Sequence, residues 1–560
     1  MSVFTASAKT AAMAPRMFGT ARRNFCAAAA LNQKVPSWAT VDPWKMGYEA
    51  PAEAKSLLNG EWIGAKDSRM IIDPLTGKDM YSVPMTSSEE LTPWIESGLA
   101  CPRSGLHNPH RNVERYNIYG DVNFKIAQAM NEPEVEEYFV KLIQRVTPKS
   151  KTQALGEINT ARKWLAMYAG DQVRMLARGF SLTGDHLGQE TRGFRYPFGN
   201  TAVITPFNFP LEIPVLQSLA SLFMGNKVLV KVDEKVQIVM EQFIRLAHHC
   251  GLPKTDMDML YSSGPVCGEL LQKSDCKQTV FTGSQAVAER LVLDLKGKVR
   301  LEDAGFDWKV LGADLPSKKE QEFVAWQCDQ DAYAFSGQKC SAQSILFMHE
   351  NWVNAGLEKQ MADRAAMRSL KDFTTVPVLS WSNEKIQKHC DDVLSIPGAK
   401  VLFGGKPLEE DHTIPECYGS WQPTAIYVPI DALLEEKNFK IATTELFGPF
   451  QIVTHWKKDE EHKVCEALER IQAHLTAAIV SNDIHFINRM LGNTLNGTTY
   501  IGLRGRTTGA PQQHWFGPCG DPRGAGIHTP EAIKLNWSGH REVIVDVGPT
   551  ADTWNAPQPT

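Results

Sequence analysis

The chain has 560 residues, 43% of them hydrophobic and 22% charged. That composition belongs to a folded protein of more than one domain and excludes a disordered one. Its 59 basic and 64 acidic residues leave a net charge of −5, which speaks against a broad nucleic-acid surface.

The charge is uneven. Residues 1–41 contain no Asp or Glu, Asp42 being the first acid, yet they carry Lys9, Arg16, Arg22, Arg23 and Lys34 among many alanines. A basic, acid-poor segment able to form an amphipathic helix is an organelle address. Residues 1–35 are therefore read as a mitochondrial transit peptide in preference to a plain disordered tail. Arg22-Arg23-Asn24-Phe25 is a plausible processing position.

The most informative region spans residues 201–304. Thr201–Thr205 is short, apolar and β-branched and reads as a strand. Leu211–Met224 reads as a helix stopped by Gly225-Asn226. Lys227–Val232 is a strand, and Val236–Cys250 a helix closed by Gly251-Leu252-Pro253. Met257–Tyr261 is a strand, Val266–Gln272 a short helix, and Gln278–Thr282 a strand. Ala286–Leu295 is a helix, and Lys298–Glu302 a strand. Alternating strands and helices mean βαβ units and a parallel sheet, so the fold class is α/β. The apolar stretch 201–232 is no membrane span: Asn208, Glu212, Gln217, Asn226, Lys227 and Lys231 interrupt it well short of the roughly 20 residues required.

Such sheets bind ligands beyond the carboxyl ends of their strands. Those ends carry Thr205-Pro206-Phe207-Asn208-Phe209-Pro210, Lys231-Val232-Asp233-Glu234, Phe281-Thr282-Gly283-Ser284 and Leu301-Glu302-Asp303-Ala304-Gly305. A Gly-Ser at a helix start offers N–H groups and a hydroxyl to a phosphate. A carboxylate after the second strand suits ribose hydroxyls. There is no GxGxxG, so the usual dinucleotide fingerprint is missing.

Eleven cysteines show no CxxC pair and no zinc spacing, so neither a metal site nor a disulfide framework is expected. Ten of them read as small buried hydrophobes. Cys340 differs: in Phe335-Ser336-Gly337-Gln338-Lys339-Cys340-Ser341-Ala342 it follows a turn and adjoins a lysine. A neighbouring cation lowers a thiol's pKa, so the expectation is a reactive thiolate.

These segments together resemble the aldehyde dehydrogenase superfamily. Gly337-Gln338-Lys339-Cys340 resembles its catalytic motif, Pro206-Phe207-Asn208-Phe209-Pro210 its Pro-aromatic-Asn-Phe-Pro motif, and Lys231–Glu234 its Lys-Pro-Ser-Glu. Phe281-Thr282-Gly283-Ser284 and Glu445-Leu446-Phe447-Gly448-Pro449 follow in family order. The resemblance implies a Rossmann-like NAD-binding domain, an α/β catalytic domain and a small β flap for oligomerisation. It implies Cys340 as nucleophile, Asn208 with the Cys340 N–H as oxyanion donors, and Glu302 as base. It places Lys231 and Glu234 at the adenine ribose, Gly283 and Ser284 at the pyrophosphate, and Glu445 and Phe447 at the nicotinamide riboside. NAD is the implied cofactor, because a 2′-phosphate would meet Glu234.

The chain departs from the family at Glu302-Asp303-Ala304-Gly305-Phe306, where Asp303 adds a like charge beside the base. Leu301–Lys309, Arg506–Pro518 and Gly520–Ile527 resemble the plant-type 1-pyrroline-5-carboxylate dehydrogenases. That subgroup implies oxidation of glutamate semialdehyde to glutamate, the second step of proline catabolism, in the mitochondrial matrix. Ser341, Gly509 and Ala510 would anchor the substrate carboxylate, with Phe209 and Phe516 on its stem, although a Gly turn flanked by Arg504 and Arg506 also reads as a surface loop.

The implied organisation is an NAD-binding domain at 45–305 with a flap segment at about 180–198, and a catalytic domain at 306–505. An anchor loop and oligomerisation strand follow at 506–550, then a tail at 551–560. The flap candidates are Gln189–Phe198 and Glu542–Val547. The expected partners are a small aldehyde and further copies of the chain, with no nucleic acid and no membrane span. Two rivals remain: another semialdehyde dehydrogenase, such as one for succinate semialdehyde, and a non-catalytic binding protein of the same fold.

Overall fold

Stretches such as Lys227–Val232, with Val228, Val230 and Val232 on one face of the pleat and Leu229 between two lysines on the other, are stable only where that valine face is covered inside a sheet. The computed structural model, which describes residues 34–303, 305–472, 474–509, 514–547 and 555–560, puts them there. The first sheet is built in chain order from β1 (Ser56–Leu58), β2 (Glu61–Ile63), β3 (Asn200–Thr205), β4 (Lys227–Val232), β5 (Met257–Met259), β6 (Gln278–Gly283) and β7 (Val299–Asp303). Their spatial order is β7-β6-β3-β4-β5-β1-β2. From β7 to β5 every pairing is parallel; β1 and β2 close the edge antiparallel.

The crossovers are helices Glu212–Phe223, Ile238–His249, Gly264–Lys273 and Gln285–Asp294. The first is buried from Ile213 to Phe223. It stops at Gly225, which needs φ +98° and whose Cβ, were there one, would stand 2.1 Å from the His107 carbonyl oxygen. The chain runs outward from β3 through β4 to β5, then returns to β6 and β7 on the other side. The strand order therefore reverses between β3 and β6, and a ligand crevice is expected beyond their carboxyl ends.

The second sheet comprises β8 (Asp307–Leu311), β9 (Gln343–His349), β10 (Lys400–Phe403), β11 (Thr424–Tyr427), β12 (Phe450–Trp456), β13 (Thr476–Val480) and β14 (Thr498–Ile501). Their order is β10-β11-β12-β9-β8-β13-β14, parallel except for β10 at the edge. Each sheet has its own core. Val203, Val230, Phe223 and Ile244 belong to the first, Trp308, Ile345, Ile452 and Ile479 to the second. Only three residues separate β7 from β8, so Glu302 and its neighbours sit where one sheet hands over to the other.

A three-stranded sheet stands apart from both. Gln189–Pro197 pairs antiparallel with Ser538–Asp546 along its whole length and with Phe180–Thr183 on its other edge. The two segments singled out as flap candidates thus lie side by side, and Leu182 and Ile544 stand exposed on this sheet. A further small sheet joins Ala52–Glu53, Asp79–Pro84 and Ser68–Ile72. Among the described residues no helix is long and apolar enough to cross a membrane. Residues 1–33, which hold nearly all of the expected address segment, lie outside the described residues.

Candidate active site

Cys340 is delivered by a tight turn. Helix α1 (Lys318–Tyr333) runs into Phe335 and Ser336, both with φ near +50° (58° and 48°), and then Gly337 at +68°. Two non-glycine residues in the left-handed region are costly, and such strain persists only where neighbours enforce it. Gln338 does so: its Nε2 donates to the Pro377 carbonyl at 2.9 Å and its Oε1 accepts from the Leu379 N–H at 2.8 Å. Ser336 Oγ accepts from the Val376 N–H at 2.8 Å and donates to the Val376 carbonyl at 3.0 Å. Gly337 itself lies against the Gly448 carbonyl, 2.1 Å from where a Cβ would be.

The thiol opens into a cavity of about 420 Å³. Phe209, Ser341, Gly509 and Phe516 line it together with Cys340. Ala510 lies outside the described residues. Asn208 and Glu302 do not line this cavity. Glu302, at the end of β7, is only 2% exposed and faces the Cys340 thiol. Its Oε2 accepts from Thr282 Oγ1 at 3.4 Å, and its buried Oε1 has no hydrogen-bond partner among the described residues.

The electrostatics correct one expectation. Lys339 and the turn do not depress the Cys340 thiol. Burial pushes it well above the ordinary value, and Glu302, Asp307 and Glu212 push it further. Glu302 rises to about 8, chiefly by burial; its contacts with Cys340 and Thr282 pull the other way, and Asp303 adds to the rise. Glu212 also rises to about 8, through burial and then Glu157. Lys339 falls to about 8, mainly through burial. In this low-dielectric setting desolvation outweighs one neighbouring cation, so the environment favours the protonated forms of these acids and of the thiol.

Asn208 is 1% exposed and its Oδ1 has no hydrogen-bond partner among the described residues. Its loop is fixed through the backbone. Lys149 Nζ donates to the Asn208 carbonyl at 2.8 Å and to Glu157 Oε2 at 3.0 Å. Glu157 Oε1 in turn accepts the N–H groups of Leu211 and Glu212 at 2.8 and 3.2 Å. The same ammonium lies 4.7 Å from the Phe209 ring centre and 4.4 Å from that of Phe335. Lys149 and Glu157 were invisible to sequence reasoning, because nothing local to them signals a loop some 50 residues downstream. Arg506, weighed as a surface-loop residue, lines the cavity, as do Glu212, Thr508 and His528.

The remaining candidates flank the first sheet's carboxyl edge and none of them lines the thiol cavity. Among the described residues Lys231 Nζ reaches only the Val232 carbonyl, at 3.4 Å. Glu234 pairs with Arg69, a partner the sequence did not suggest. Gly283 ends β6, and Ser284 heads the next helix with its hydroxyl unused in capping. The Glu445 carboxyl is raised well above its ordinary value by burial, Asp307 and Asp303. The Phe447 ring meets Phe207 edge-on at 6.0 Å. No group of three or more His, Cys, Asp or Glu fit to hold a metal occurs among the described residues.

Comparison with known proteins follows the same lines. The model of the aldehyde dehydrogenase family matches residues 62–519. A mitochondrial delta-1-pyrroline-5-carboxylate dehydrogenase of Arabidopsis thaliana is 54% identical over 531 residues, 95% of each chain. A probable aldehyde dehydrogenase of Linum usitatissimum is 54% identical over 523 residues, 93% of this chain and 94% of that one. Among solved structures, an NAD-dependent aldehyde dehydrogenase from Sinorhizobium meliloti superimposes with a TM-score of 0.76 at 19% identity, covering 90% of this chain and 97% of the other.

Proposed function

This chain belongs to the aldehyde dehydrogenase family, and from that premise we propose that it oxidises L-glutamate 5-semialdehyde to L-glutamate with NAD, the second step of proline catabolism. The observation that carries the substrate is the 54% identity to the Arabidopsis mitochondrial pyrroline-carboxylate dehydrogenase across 95% of both chains. The cavity is consistent with it: a thiol, two aromatic rings and a polar glycine loop suit an aldehyde with an aliphatic stem and a charged head.

In this reading the first sheet carries the dinucleotide. The donor set fits: Ser284 heads an exposed helix start, Glu234 lies two residues past the end of β4, and the Glu445 carboxyl makes no ion pair or hydrogen bond among the described residues. Lys231 and Glu234 would hold the adenine ribose, Gly283 and Ser284 the pyrophosphate, and Glu445 and Phe447 the nicotinamide end. The bound NAD supplies the acceptor for the hydride.

The chain's own residues do the rest. Glu302 takes the Cys340 proton, and the thiolate forms its bond to the aldehyde carbon. The Asn208 side-chain amide and the Cys340 N–H hold the oxyanion. Neither is engaged elsewhere among the described residues: the Asn208 loop is secured through its carbonyl by Lys149, which leaves the amide for the substrate. Once the adduct has given up its hydride to leave the thioester, and Glu302 has released the thiol's proton to solvent, the freed carboxylate takes a proton from water for the hydrolysis. Ser341, Gly509 and Ala510 anchor the substrate carboxylate, and Phe209 and Phe516 pack on its stem.

The basic, acid-free segment 1–41 and the mitochondrial relative support delivery to the mitochondrial matrix. The three-stranded sheet with exposed Leu182 and Ile544 supports assembly of several copies. The decisive experiment is NADH formation by the purified chain from pyrroline carboxylate, succinate semialdehyde and propanal, with NAD and NADP. A preference for succinate semialdehyde overturns the substrate, and full turnover by Cys340→Ala overturns the mechanism.

A further inference from the structure

The loop read as the substrate anchor hangs on one buried carboxylate that the reaction itself does not use. Asp331, on α1, has no exposed surface. Its Oδ2 accepts from the Thr507 N–H at 2.9 Å and its Oδ1 from the Thr508 hydroxyl at 2.8 Å. Gln327 Nε2 adds a third bond at 2.9 Å, and the Thr508 N–H a longer one at 3.4 Å. Opposite these donors stands Lys309, on β8, equally buried, with its Nζ 2.7 Å from Asp331 Oδ2. Thr508 and Gly509 then continue directly into the wall of the cavity that holds Cys340.

Two properties of this arrangement go beyond holding a loop still. First, the Thr507 and Thr508 amides are spent on Asp331, so the loop's shape is fixed from behind. Second, an ionised carboxylate buried directly behind an anion-binding loop repels any carboxylate in front of it, unless a cation cancels it in the same low-dielectric layer. Lys309 is that cation.

We propose that Lys309 and Asp331 are a positioning pair that sets the site's preference for carboxylated aldehydes: Asp331 shapes the loop and Lys309 neutralises it. The proposal rests on the reading that residues 507–509 face the substrate carboxylate. Neither residue touches the reacting atoms.

The test compares kcat/KM for glutamate semialdehyde with that for propanal, an uncharged aldehyde. Lys309→Met leaves a buried negative charge behind the loop, so the ratio is expected to fall by about tenfold, through KM for the semialdehyde. The double variant Lys309→Met/Asp331→Asn removes that charge while keeping an acceptor oxygen for Thr508, and the ratio is expected to recover. A purely structural pin predicts equal losses on both substrates and a double variant no better than the single; either result overturns the proposal. Where Lys309→Met does not fold, Thr508→Val decides: a rise in KM confined to the semialdehyde supports the pair, and an equal rise on both substrates overturns it. Should the unaltered protein show no preference for the carboxylated aldehyde, the reading of the loop fails, and that outcome is distinct from loss of the ratio in the variants alone.

Discussion

The Glu302 carboxyl, at the end of β7, faces the Cys340 thiol, and the contact pulls the acid down while pushing the thiol up. The two therefore titrate as a pair. Because Glu302 must be ionised to accept a proton, activity is expected to rise with pH on a limb near its value of about 8. Glu302→Gln should abolish that limb and slow thioester hydrolysis by about 10²–10³-fold. Rapid-quench mass spectrometry of the Cys340 peptide should then show acyl-enzyme accumulating. An unchanged pH profile in the variant would remove Glu302 from the role of base.

Glu212 makes a separate prediction about stability. Its folded value, about 8, lies above that of an unfolded glutamate. The folded chain thus holds a proton that the unfolded chain has released between those two values. That contribution is fully present below the unfolded pKa and is lost as pH rises through about 8. Glu212→Gln removes the penalty of ionising there. It should raise Tm at pH 8.5 by about 1–2 °C and change it little at pH 5. A larger gain at pH 5 would contradict the sign.

Arg69 bears on cofactor choice. Glu234 alone would repel a 2′-phosphate, but the Arg69 guanidinium pairs with it and places a cation at the same edge. Arg69→Leu is expected to raise KM for NADP relative to NAD by about three- to tenfold, since a half-exposed charge is worth about 1 kcal/mol. Steady-state KM values for both cofactors check it. Equal changes for the two would confine Arg69 to a structural role.

The sequence made the first sheet readable for a physical reason. β3, β4 and β6 carry short β-branched runs, and Gly225-Asn226 and Gly251-Leu252-Pro253 punctuate the helices between the strands, so each expected element lies within about two residues of the observed one. Cys340 and the carboxylates at the strand ends stand out as candidates, because local motifs carry them. What was not legible is held across long chain separations. Lys149 meets the Asn208 carbonyl 59 residues away, and Thr507 meets Asp331 across 176. The direction of the Cys340 shift failed for the same cause. The sequence displays Lys339 next door, whereas the burial that raises the thiol is a property of the folded site, and the acids that add to it arrive from β7, β8 and the Glu212–Phe223 helix.

Lys149 offers the strongest stability prediction. Its ammonium and the Glu157 carboxylate are both essentially unexposed, at 2% and 0%. Together they tie the Asn208 loop to the start of the Glu212–Phe223 helix. Lys149→Met leaves Glu157 charged, buried and without its cation, and breaking such a pair from one side costs about 3–5 kcal/mol. Lys149→Met/Glu157→Gln leaves no buried charge and should regain much of that loss, because glutamine still offers an oxygen to the Leu211 N–H. Catalysis should not follow stability. Both variants lose the bond to the Asn208 carbonyl, so the proposed oxyanion donor is displaced in both, with kcat expected to fall by about tenfold or more. Denaturant midpoints and kcat measured on the same preparations separate the two effects. If the double variant recovered activity along with stability, Lys149 would be a core ion pair alone and not the anchor of the Asn208 loop.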